Sequence, residues 1–284
     1  MQKYRTNINI FDHLVNLQTS EGDTQHATFQ DCSILKRSLI WIQRSNFLLN
    51  MELVPKLSRS LQSMTAEKQT KMDIVLTNIV VSVPPRHRTL FRVREFRIPF
   101  GSHVLIHGPS GIGKTTLLHL IAGLFLPDEG DVSIGEFKLR HLTEYQRGKL
   151  RRDHIGIIFQ RLNLIDHLNV QENVSLSLAH NSESLRLARI ALDKVNVGTL
   201  HSERVGNLSQ GEQQRVAIAR VLAPSPSLIL ADEPTSNLDD KNTTEVVSAL
   251  FHASEHRTLV VVSHDNRIPS SFDTVLSFQQ LTSE

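Results

Sequence analysis

The residues best suited to chemistry form one glycine-rich stretch, Gly108-Pro109-Ser110-Gly111-Ile112-Gly113-Lys114-Thr115. This stretch fits the phosphate-binding pattern G-x-x-x-x-G-K-[ST] at every fixed position. Its glycines allow the backbone to wrap around a phosphate, and the first turn of a following helix presents unpaired N–H groups to that anion. In this pattern Lys114 contacts the β- and γ-phosphates, and the hydroxyl of Thr115 binds Mg²⁺. The stretch, extended to Thr116, therefore predicts a site for a nucleoside triphosphate.

Two elements must position this loop. An apolar run at 104–106 precedes it and predicts a buried strand, and residues 116–122 predict a helix after it. The alternative interpretation is an ordinary glycine-rich turn between a strand and a helix. Because the fixed positions and the strand–loop–helix context both match, phosphate binding is the preferred interpretation.

A second stretch admits two interpretations: Leu208-Ser209-Gln210-Gly211-Glu212-Gln213-Gln214-Arg215. Ser209 and Glu212 are three residues apart and form a capping box that opens a helix. The same helix N-terminus, with a small hydroxyl at Ser209 and Gly211 beside it, is also suited to bind a second anion. The capping box alone does not decide between the two.

Two acidic residues, Asp232 and Glu233, follow a wholly apolar run at 228–231. The run predicts a buried parallel strand, and in open α/β sheets ligands bind at the carboxyl ends of the strands. Asp232 is therefore placed to hold Mg²⁺, and Glu233 to orient a water molecule against the γ-phosphate. A solvated acidic turn is the alternative, but it does not explain the apolar run. A neighbouring buried strand at 258–262 delivers His264, for which contact with the γ-phosphate is preferred to a structural role.

Composition limits the class of protein. The 284 residues are 39% hydrophobic and 21% charged, as in globular domains, and the net charge of +2 gives no argument for binding nucleic acid or an anionic membrane. The single cysteine, Cys32, excludes an internal disulfide framework and fits a reducing compartment. No apolar stretch approaches the ~20 residues of a membrane span, and the N-terminus lacks a signal-peptide core. We therefore expect the protein to stay on the cytoplasmic side.

The rest of the recognisable domain alternates between strands and helices. Strands are predicted at 74–83 and 91–98, joined by a turn at 84–89, and the second alternates apolar residues with arginines, as in a sheet with one face in water. Residues 161–202 are predicted to be mainly helical. Their apolar face comprises Leu185, Ala188, Ile190, Ala191, Leu192 and Val195.

Residues 1–71 form an extension of unknown role, and the recognisable domain spans 72–284. The extension is rich in apolar residues at 33–53 and has one glycine, Gly22. Three interpretations stay open: a docking arm for a partner or a membrane, a poorly ordered passive extension, or translation that starts at Met72. A passive or spurious extension is preferred to a docking arm.

Together these motifs resemble the nucleotide-binding subunit of ATP-binding cassette (ABC) proteins over about residues 73–280. The resemblance rests on six motifs. They are a phosphate loop (108–115), a glutamine loop (Gln160), a signature (208–212), an acidic pair (Asp232-Glu233), the loop after this pair (Ser236-Asn237-Leu238-Asp239) and a switch histidine (His264). Segments 159–174, 208–222 and 232–239 are most similar to the ATPases of lipoprotein-release, macrolide-export and cell-division complexes. The short spacing from Gln160 to the signature argues against DNA-repair and chromosome-maintenance relatives, and the single copy of each motif against tandem translation factors.

The resemblance implies an α/β fold, a P-loop ATPase of ABC type. It would have a RecA-like mixed sheet core, an antiparallel β subdomain and a small helical subdomain at about 161–225. It also implies ATP and Mg²⁺ as ligands, separate membrane-spanning permease subunits, a homodimer of ATPase subunits and no nucleic-acid partner. The subunit would lie peripherally on the cytoplasmic face of the inner membrane.

The resemblance also assigns roles to residues. Two copies would face each other head to tail, with ATP between the phosphate loop of one copy and the signature of the other. The implied catalytic residues are Glu233, His264, Gln160 and Lys114. The implied nucleotide contacts are Gly108, Pro109, Ser110, Gly111, Ile112, Gly113, Lys114, Thr115, Thr116, Ser209, Gly211, Glu212 and Asp239. The implied Mg²⁺ ligands are Thr115, Gln160 and Asp232.

Two features depart from the family pattern. The common signature has two adjacent glycines after its serine, and here the first is Gln210, whose side chain would crowd the facing subunit. The family usually stacks an aromatic residue on adenine, and the equivalent place here, 81–83, has none. Weaker adenine contacts, or a substitute such as Phe91, would follow.

Three functions remain open on the sequence. The leading hypothesis is the energising subunit of a membrane transporter of export or lipoprotein-release type. The alternative is an ATP-driven transmembrane signalling clamp of the cell-division type, which moves no solute. A third is an ATPase with no membrane partner.

Overall fold

The computed structural model describes residues 72–83, 88–178, 183–268 and 272–282. The interpretations of residues 1–71 lie outside this part of the chain, as does most of the predicted turn at 84–89. The described strands are β1 (Ile74–Val83), β2 (Arg88–Ile98), β3 (His103–His107), β4 (Glu129–Ile134), β5 (Phe137–Lys138), β6 (Ile155–Ile158), β7 (Leu228–Asp232), β8 (Thr258–Ser263) and β9 (Thr274–Ser277). The described α-helices are α1 (Lys114–Ile121), α2 (Glu144–His154), α3 (Val170–Ser175), α4 (Ser184–Lys194), α5 (Gln210–Leu222), α6 (Asp240–Ala253) and α7 (Phe278–Thr282).

The first sheet is antiparallel, with the strand order β2-β1-β4-β5. The predicted pairing of β1 with β2 is confirmed, but β2 begins three residues earlier than expected because Arg88 pairs with Val83 and Thr89 with Ser82. Phe91 and Val93 are buried while Arg92 is exposed. The alternation of apolar and basic residues therefore places one face of this sheet in the core.

The second sheet has the strand order β6-β7-β8-β3-β9, and its pairings are parallel throughout. The predicted α/β fold class of the ABC P-loop ATPases is thus confirmed, with the antiparallel strands kept in their own sheet. Strand β7 is buried along its whole length. Such burial explains its continuous apolar run, because a parallel sheet is covered on both faces.

Two hydrophobic cores lie on opposite faces of the parallel sheet. Along β7, Leu228 and Leu230 join the core that contains α1 and the antiparallel sheet. Ile229 and Ala231 join the core that contains residues of α3, α4, α5 and α6. This division follows from the two-residue period of a strand, which sends successive side chains to opposite faces. The sheet is therefore held firmly from both sides, and its carboxyl edge is a rigid platform.

The helical segment differs from its prediction. Residues 161–169 are not helical; α3 begins only at Val170, after a capping box formed by Asn169 and Glu172. The predicted apolar face of α4 is partly wrong, because Leu185 and Ile190 are 54% and 40% exposed while Ala188, Ala191 and Leu192 are buried. Of the helices in the described ranges, none is long and apolar enough to cross a lipid bilayer.

Candidate functional site

The carboxyl edge of the parallel sheet collects the predicted chemistry. Strands β7, β8 and β3 are consecutive neighbours in this sheet, although they are far apart in the chain. Strand β3 leads into the loop 108–113, β7 ends at Asp232, and β8 ends at Ser263 just before His264. The strand order alone therefore brings the loop, the acidic pair and the histidine to one place.

The glycines of the loop have a conformational reason. Gly111 and Gly113 have φ values of 78° and 115°, in the left-handed region that favours glycine. A Cβ atom on Gly113 would also lie only 3.1 Å from Cδ1 of Phe91. Gly113 caps α1 without a side-chain hydrogen bond, so no side chain competes for the N–H groups of its first turn. This arrangement is suited to an anion.

Lys114 is buried and points back across the loop. Its Nζ donates to the carbonyl oxygens of Gly108 and Pro109 at 2.7 and 3.0 Å. The same atom lies 3.2 Å from Oε1 of Glu233, whose side chain is also buried. A cation that donates to two neutral carbonyl oxygens in the mouth of the loop can transfer these hydrogen bonds to an arriving phosphate.

Thr115 and Asp232 meet directly. The Oγ1 of Thr115 donates to Oδ1 of Asp232 at 3.0 Å. Burial raises the pKa of Asp232, and the hydrogen bond from Thr115 only partly opposes this. Among the described residues no cationic side chain forms an ion pair with Asp232. A hydroxyl and a buried carboxylate that gains from a nearby positive charge are a donor set that fits Mg²⁺.

Glu233 is the most heavily bonded group of the site. Its Oε2 accepts from Oγ of Ser263 at 2.9 Å and from the backbone N–H of His264 at 3.1 Å. The Nδ1 atom of His264 lies 2.9 Å from the same oxygen. Burial opposes ionisation, but the bonds from His264, Ser263 and Lys114 together hold the pKa of Glu233 below its ordinary value. Glu233 also has φ 46°, a conformation that fixes it at the turn after β7.

The predicted capping box of the signature is confirmed. Ser209 caps α5, and its backbone N–H and Oγ both donate to Oε2 of Glu212, at 2.9 and 2.6 Å. These bonds lower the pKa of Glu212. A Cβ atom on Gly211 would lie 2.0 Å from Oδ1 of Asn242, so the start of α5 packs against α6 through a glycine. Asn242 in turn donates through Nδ2 to both carboxylate oxygens of Asp239, at 3.0 and 2.9 Å.

The predicted residues fall into two groups. Lys114, Thr115, Asp232, Glu233 and His264 form one hydrogen-bonded cluster. Within the described part of one chain, no hydrogen bond or ion pair connects the other group to the loop 108–116; this group comprises Gln160, Ser209, Gly211, Glu212 and Asp239. Gln160 is exposed and lines, with 161–162, Gln210, Gln214 and 236–237, a cavity of about 350 Å³.

The suggested substitute for an adenine-stacking residue is wrong. Phe91 is buried, packs edge-on against Phe278 at 5.5 Å between ring centroids, and lies beneath Gly113. It supports the loop from below, so it cannot also stack on a base at the surface.

Sequence reasoning missed the residues that fix the turn after His264. Asp265 pairs with Arg267, and this contact, helped by a hydrogen bond from Oγ1 of Thr235 at 2.7 Å, lowers the pKa of Asp265 to about 2. Arg267 also donates to the carbonyl oxygen of Leu238 at 3.0 Å. The only signal in the sequence was the position of Asp265, directly after the strand-end histidine.

Comparison with known protein families gives one family match. The profile described as "ABC transporter" matches residues 91–236. An uncharacterized ABC transporter ATP-binding protein of Mycobacterium tuberculosis is 42% identical over 185 residues, which are 63% of this chain and 75% of that protein. The lipoprotein-releasing system ATP-binding protein LolD of Hydrogenovibrio crunogenus is 38% identical over 63% of this chain and 80% of its own length. The macrolide export ATP-binding/permease protein MacB of Bdellovibrio bacteriovorus is 39% identical over 61% of this chain and only 27% of its own length.

Solved structures are similar over the same domain. The dimeric structure of the bacterial ABC transporter cassette MJ0796 has a TM-score of 0.65 and 34% identity, covering 72% of this chain and 94% of that one. A second dimeric structure of that cassette, in a post-hydrolysis state bound to ADP and Pi, has a TM-score of 0.64, 34% identity and coverage of 72% and 93%.

Proposed function

The chain belongs to the ABC transporter family, and we propose that it is the ATP-binding and ATP-hydrolysing subunit that energises a membrane transporter of export or lipoprotein-release type. One observation carries the proposal. The buried pair of Lys114 and Glu233 lies beside the contact of Thr115 with Asp232, at the mouth of a glycine loop. This cluster has a cation for the phosphates, oxygen ligands for a metal and an ionised carboxylate for water.

The loop binds the triphosphate of ATP. Backbone N–H groups of 110–116 surround the phosphates, and Lys114 exchanges its two carbonyl acceptors for phosphate oxygens. Thr115 and Asp232 would hold Mg²⁺, which would neutralise charge on the phosphates. Gln160, which lies exposed beside Gln210, would complete this ligand set.

Glu233 positions the attacking water. Its lowered pKa keeps it ionised, so it can accept a hydrogen bond from water and take a proton as phosphoryl transfer proceeds. His264 and Ser263 hold the Oε2 oxygen, which leaves the other oxygen with Lys114 at the loop. The ring of His264 is half exposed and contacts Glu233 through Nδ1, so Nε2 is the nitrogen left to contact a γ-phosphate.

Two chains complete each other's sites. Within the described ranges, no hydrogen bond or ion pair joins Ser209 or Gly211 to the loop 108–116 of their own chain. They begin α5, a helix start that Ser209 and Glu212 cap and that is suited to an anion. A head-to-tail dimer brings the signature of one protomer to the phosphates held by the other. ATP therefore closes the dimer, and loss of the γ-phosphate lets it open. Asp239 accepts hydrogen bonds from Asn242, which lies beside Gly211, and it connects the two sites in the dimer.

The membrane partner docks on the helical segment. Leu176, Leu185 and Ile190 are large apolar side chains that this segment exposes. We expect detergent-solubilised permease to co-purify with the wild-type chain and to be lost from the double variant Leu185→Glu/Ile190→Glu. Tyr145→Ala is the matched control, because Tyr145 is exposed on another helix. If the double variant recovers as much permease as Tyr145→Ala does, this docking surface is excluded.

ATP binding is the decisive experiment. Lys114→Ala should lower ATP affinity by about 10- to 100-fold, since a hydrogen bond to a charged group is worth ~1.5–3 kcal/mol. Lys149→Ala, on the exposed side of α2, is the control and should bind as the wild type does. Titration calorimetry measures both. Near-normal affinity in Lys114→Ala would overturn the assignment of the loop.

A further inference from the structure

Arg267 connects two loops that flank the candidate catalytic site. Its Nε and Nη2 atoms donate to the two carboxylate oxygens of Asp265, at 2.9 and 2.8 Å. Its Nη1 atom donates to the carbonyl oxygen of Leu238 at 3.0 Å and to Oδ1 of Asp240 at 2.9 Å. Asp265 lies in the turn after β8, whereas Leu238 and Asp240 lie where the loop after β7 enters α6. Because a guanidinium is planar and rigid, these bonds fix the two loops relative to each other.

The carboxylate of Asp265 is held by further donors. It accepts from the backbone N–H of Arg267 at 2.9 Å and from Oγ1 of Thr235 at 2.7 Å. Thr235 is fully buried, and the side chain of Asp265 is only 10% exposed. The pairing with Arg267 lowers the pKa of Asp265 to about 2, so the carboxylate stays ionised at neutral pH. Asp265 therefore cannot turn without breaking several charge-assisted hydrogen bonds.

The backbone of Asp265 in turn orients the hydroxyl of Ser263. The N–H of Asp265 donates to Oγ of Ser263 at 3.0 Å, and this Oγ donates to Oε2 of Glu233 at 2.9 Å. A hydroxyl has one proton to donate, and Ser263 is fully buried, so bulk water has no access to it. The other carboxylate oxygen of Glu233, Oε1, lies 3.2 Å from Nζ of Lys114 at the glycine loop. A continuous path of hydrogen bonds therefore leads from Arg267 to the carboxylate of Glu233.

We propose that Arg267 is a positioning residue for ATP hydrolysis. By fixing Asp265, it keeps the proton of Ser263 on Oε2 of Glu233, and Oε1 remains for the attacking water. The inference rests on the proposed ATPase function and adds to it a residue that acts through a buried hydroxyl rather than on the nucleotide. A purely structural role for Arg267 would instead lower stability without a specific effect on the chemical step.

A double-mutant cycle with Arg267→Met and Ser263→Ala tests this path. The full chain is used, and kcat for ATP hydrolysis and the affinity for ATP are measured separately. Arg267→Met should lower kcat about 10-fold and leave the affinity within about twofold, because a misplaced base slows the chemical step and not binding. In the Ser263→Ala background, the same change should alter kcat less than about twofold, because the hydroxyl through which Arg267 acts is gone. Arg267→Lys keeps the charge but loses the planar fork, so its kcat should fall between those of Arg267→Met and the wild type.

Arg151→Met is the matched control. Arg151 also joins a carboxylate to a carbonyl, since it donates to Oε1 of Glu144 at 2.7 Å and to the carbonyl oxygen of Gly123 at 2.6 Å. Its substitution should lower the melting temperature as Arg267→Met does, yet keep the wild-type kcat. An equal loss of kcat in this control would contradict the proposal, because the loss would then follow stability alone.

Two results of the cycle would overturn the proposal. One is an unchanged kcat in Arg267→Met. The other is a loss of kcat that is the same with and without the hydroxyl of Ser263, which would place Arg267 outside this path. If Arg267→Met does not fold, the cycle is run with Arg267→Lys and judged in the same way. If instead Lys114→Ala binds ATP normally, the proposed function itself has failed, independently of Arg267.

Discussion

Replacement of Gly211 by alanine probes the contact between the signature helix and α6. The new Cβ would lie 2.0 Å from Oδ1 and 2.5 Å from Cγ of Asn242, so Asn242 must move. Overpacking of this kind costs ~1–3 kcal/mol. The move also breaks the two bonds of Asn242 to Asp239, which lie at an exposed site and add little to this cost. Replacement of a helical glycine by alanine by itself stabilises the helix by about 0.5–1 kcal/mol, which offsets part of this cost.

The expected net loss is therefore about 1–3 kcal/mol of unfolding free energy, or a fall in melting temperature of roughly 2–4 °C per kcal/mol. Urea unfolding followed by far-ultraviolet circular dichroism measures it. Gly148→Ala is the matched control, because Gly148 is also helical and its Cβ would meet only Nη2 of Arg151, at 3.7 Å. That change should stabilise the protein by about 0.5–1 kcal/mol.

A double-mutant cycle decides whether Asn242 is the cause. In an Asn242→Ala background, Gly211→Ala should cost less than about 0.5 kcal/mol, because Oδ1 and Cγ are gone and only the Cβ atom of position 242, at 3.0 Å, remains. If Gly211→Ala is as stable as the wild type, the packing argument is refuted. If it costs the same with and without Asn242, the loss has another origin.

Three further changes follow from the site. Gln210→Gly restores the common signature and should tighten ATP-driven dimerisation about 10-fold by sedimentation analysis, and unchanged association would remove the crowding argument. Thr115→Val should raise the Mg²⁺ concentration needed for half-maximal hydrolysis, and an unaltered requirement would exclude Thr115 as a ligand. Asp265→Asn tests the dependence of stability on pH. The pKa of Asp265 is lowered from 3.8 to about 2 in the folded state, so ionised Asp265 stabilises the fold above pH 3.8. This contribution is lost as the pH falls toward 2. The variant should be less stable than the wild type at pH 7 and lose less stability on acidification; parallel curves would show that Asp265 contributes nothing.

The motifs were predictable because they are local. The glycine loop needs a particular backbone, a cation and a hydroxyl within eight residues, and the acidic pair needs a strand directly before it. The apolar runs of β7 and β8 then indicated a parallel sheet, and a parallel sheet brings its carboxyl ends together whatever the distance in sequence. The capping box of Ser209 with Glu212 is likewise a short-range pattern.

The contacts that the sequence did not predict are made by side chains from distant elements. No pattern in the sequence links Asn242 to Gly211, or Arg220 to the carbonyls of Leu162 and Asn163, because both depend on how α5 packs. The segment 161–169 is not helical, and Asn163 within it has φ 49°, outside the right-handed helical region. Phe91 was wrongly suggested as an adenine-stacking residue. The alternation along its strand indicated that it is buried, but not that it packs beneath the glycine loop.

The most direct test of the central claim is the association state of Glu233→Gln with and without ATP. Glutamine cannot take a proton from water, so hydrolysis should fall by about 10²- to 10⁴-fold while ATP binding persists. The account predicts that this variant is a monomer alone and a closed dimer with Mg²⁺ and ATP, and that adding Lys114→Ala returns it to a monomer. Unchanged turnover, or a dimer that forms equally well without ATP, would contradict the account.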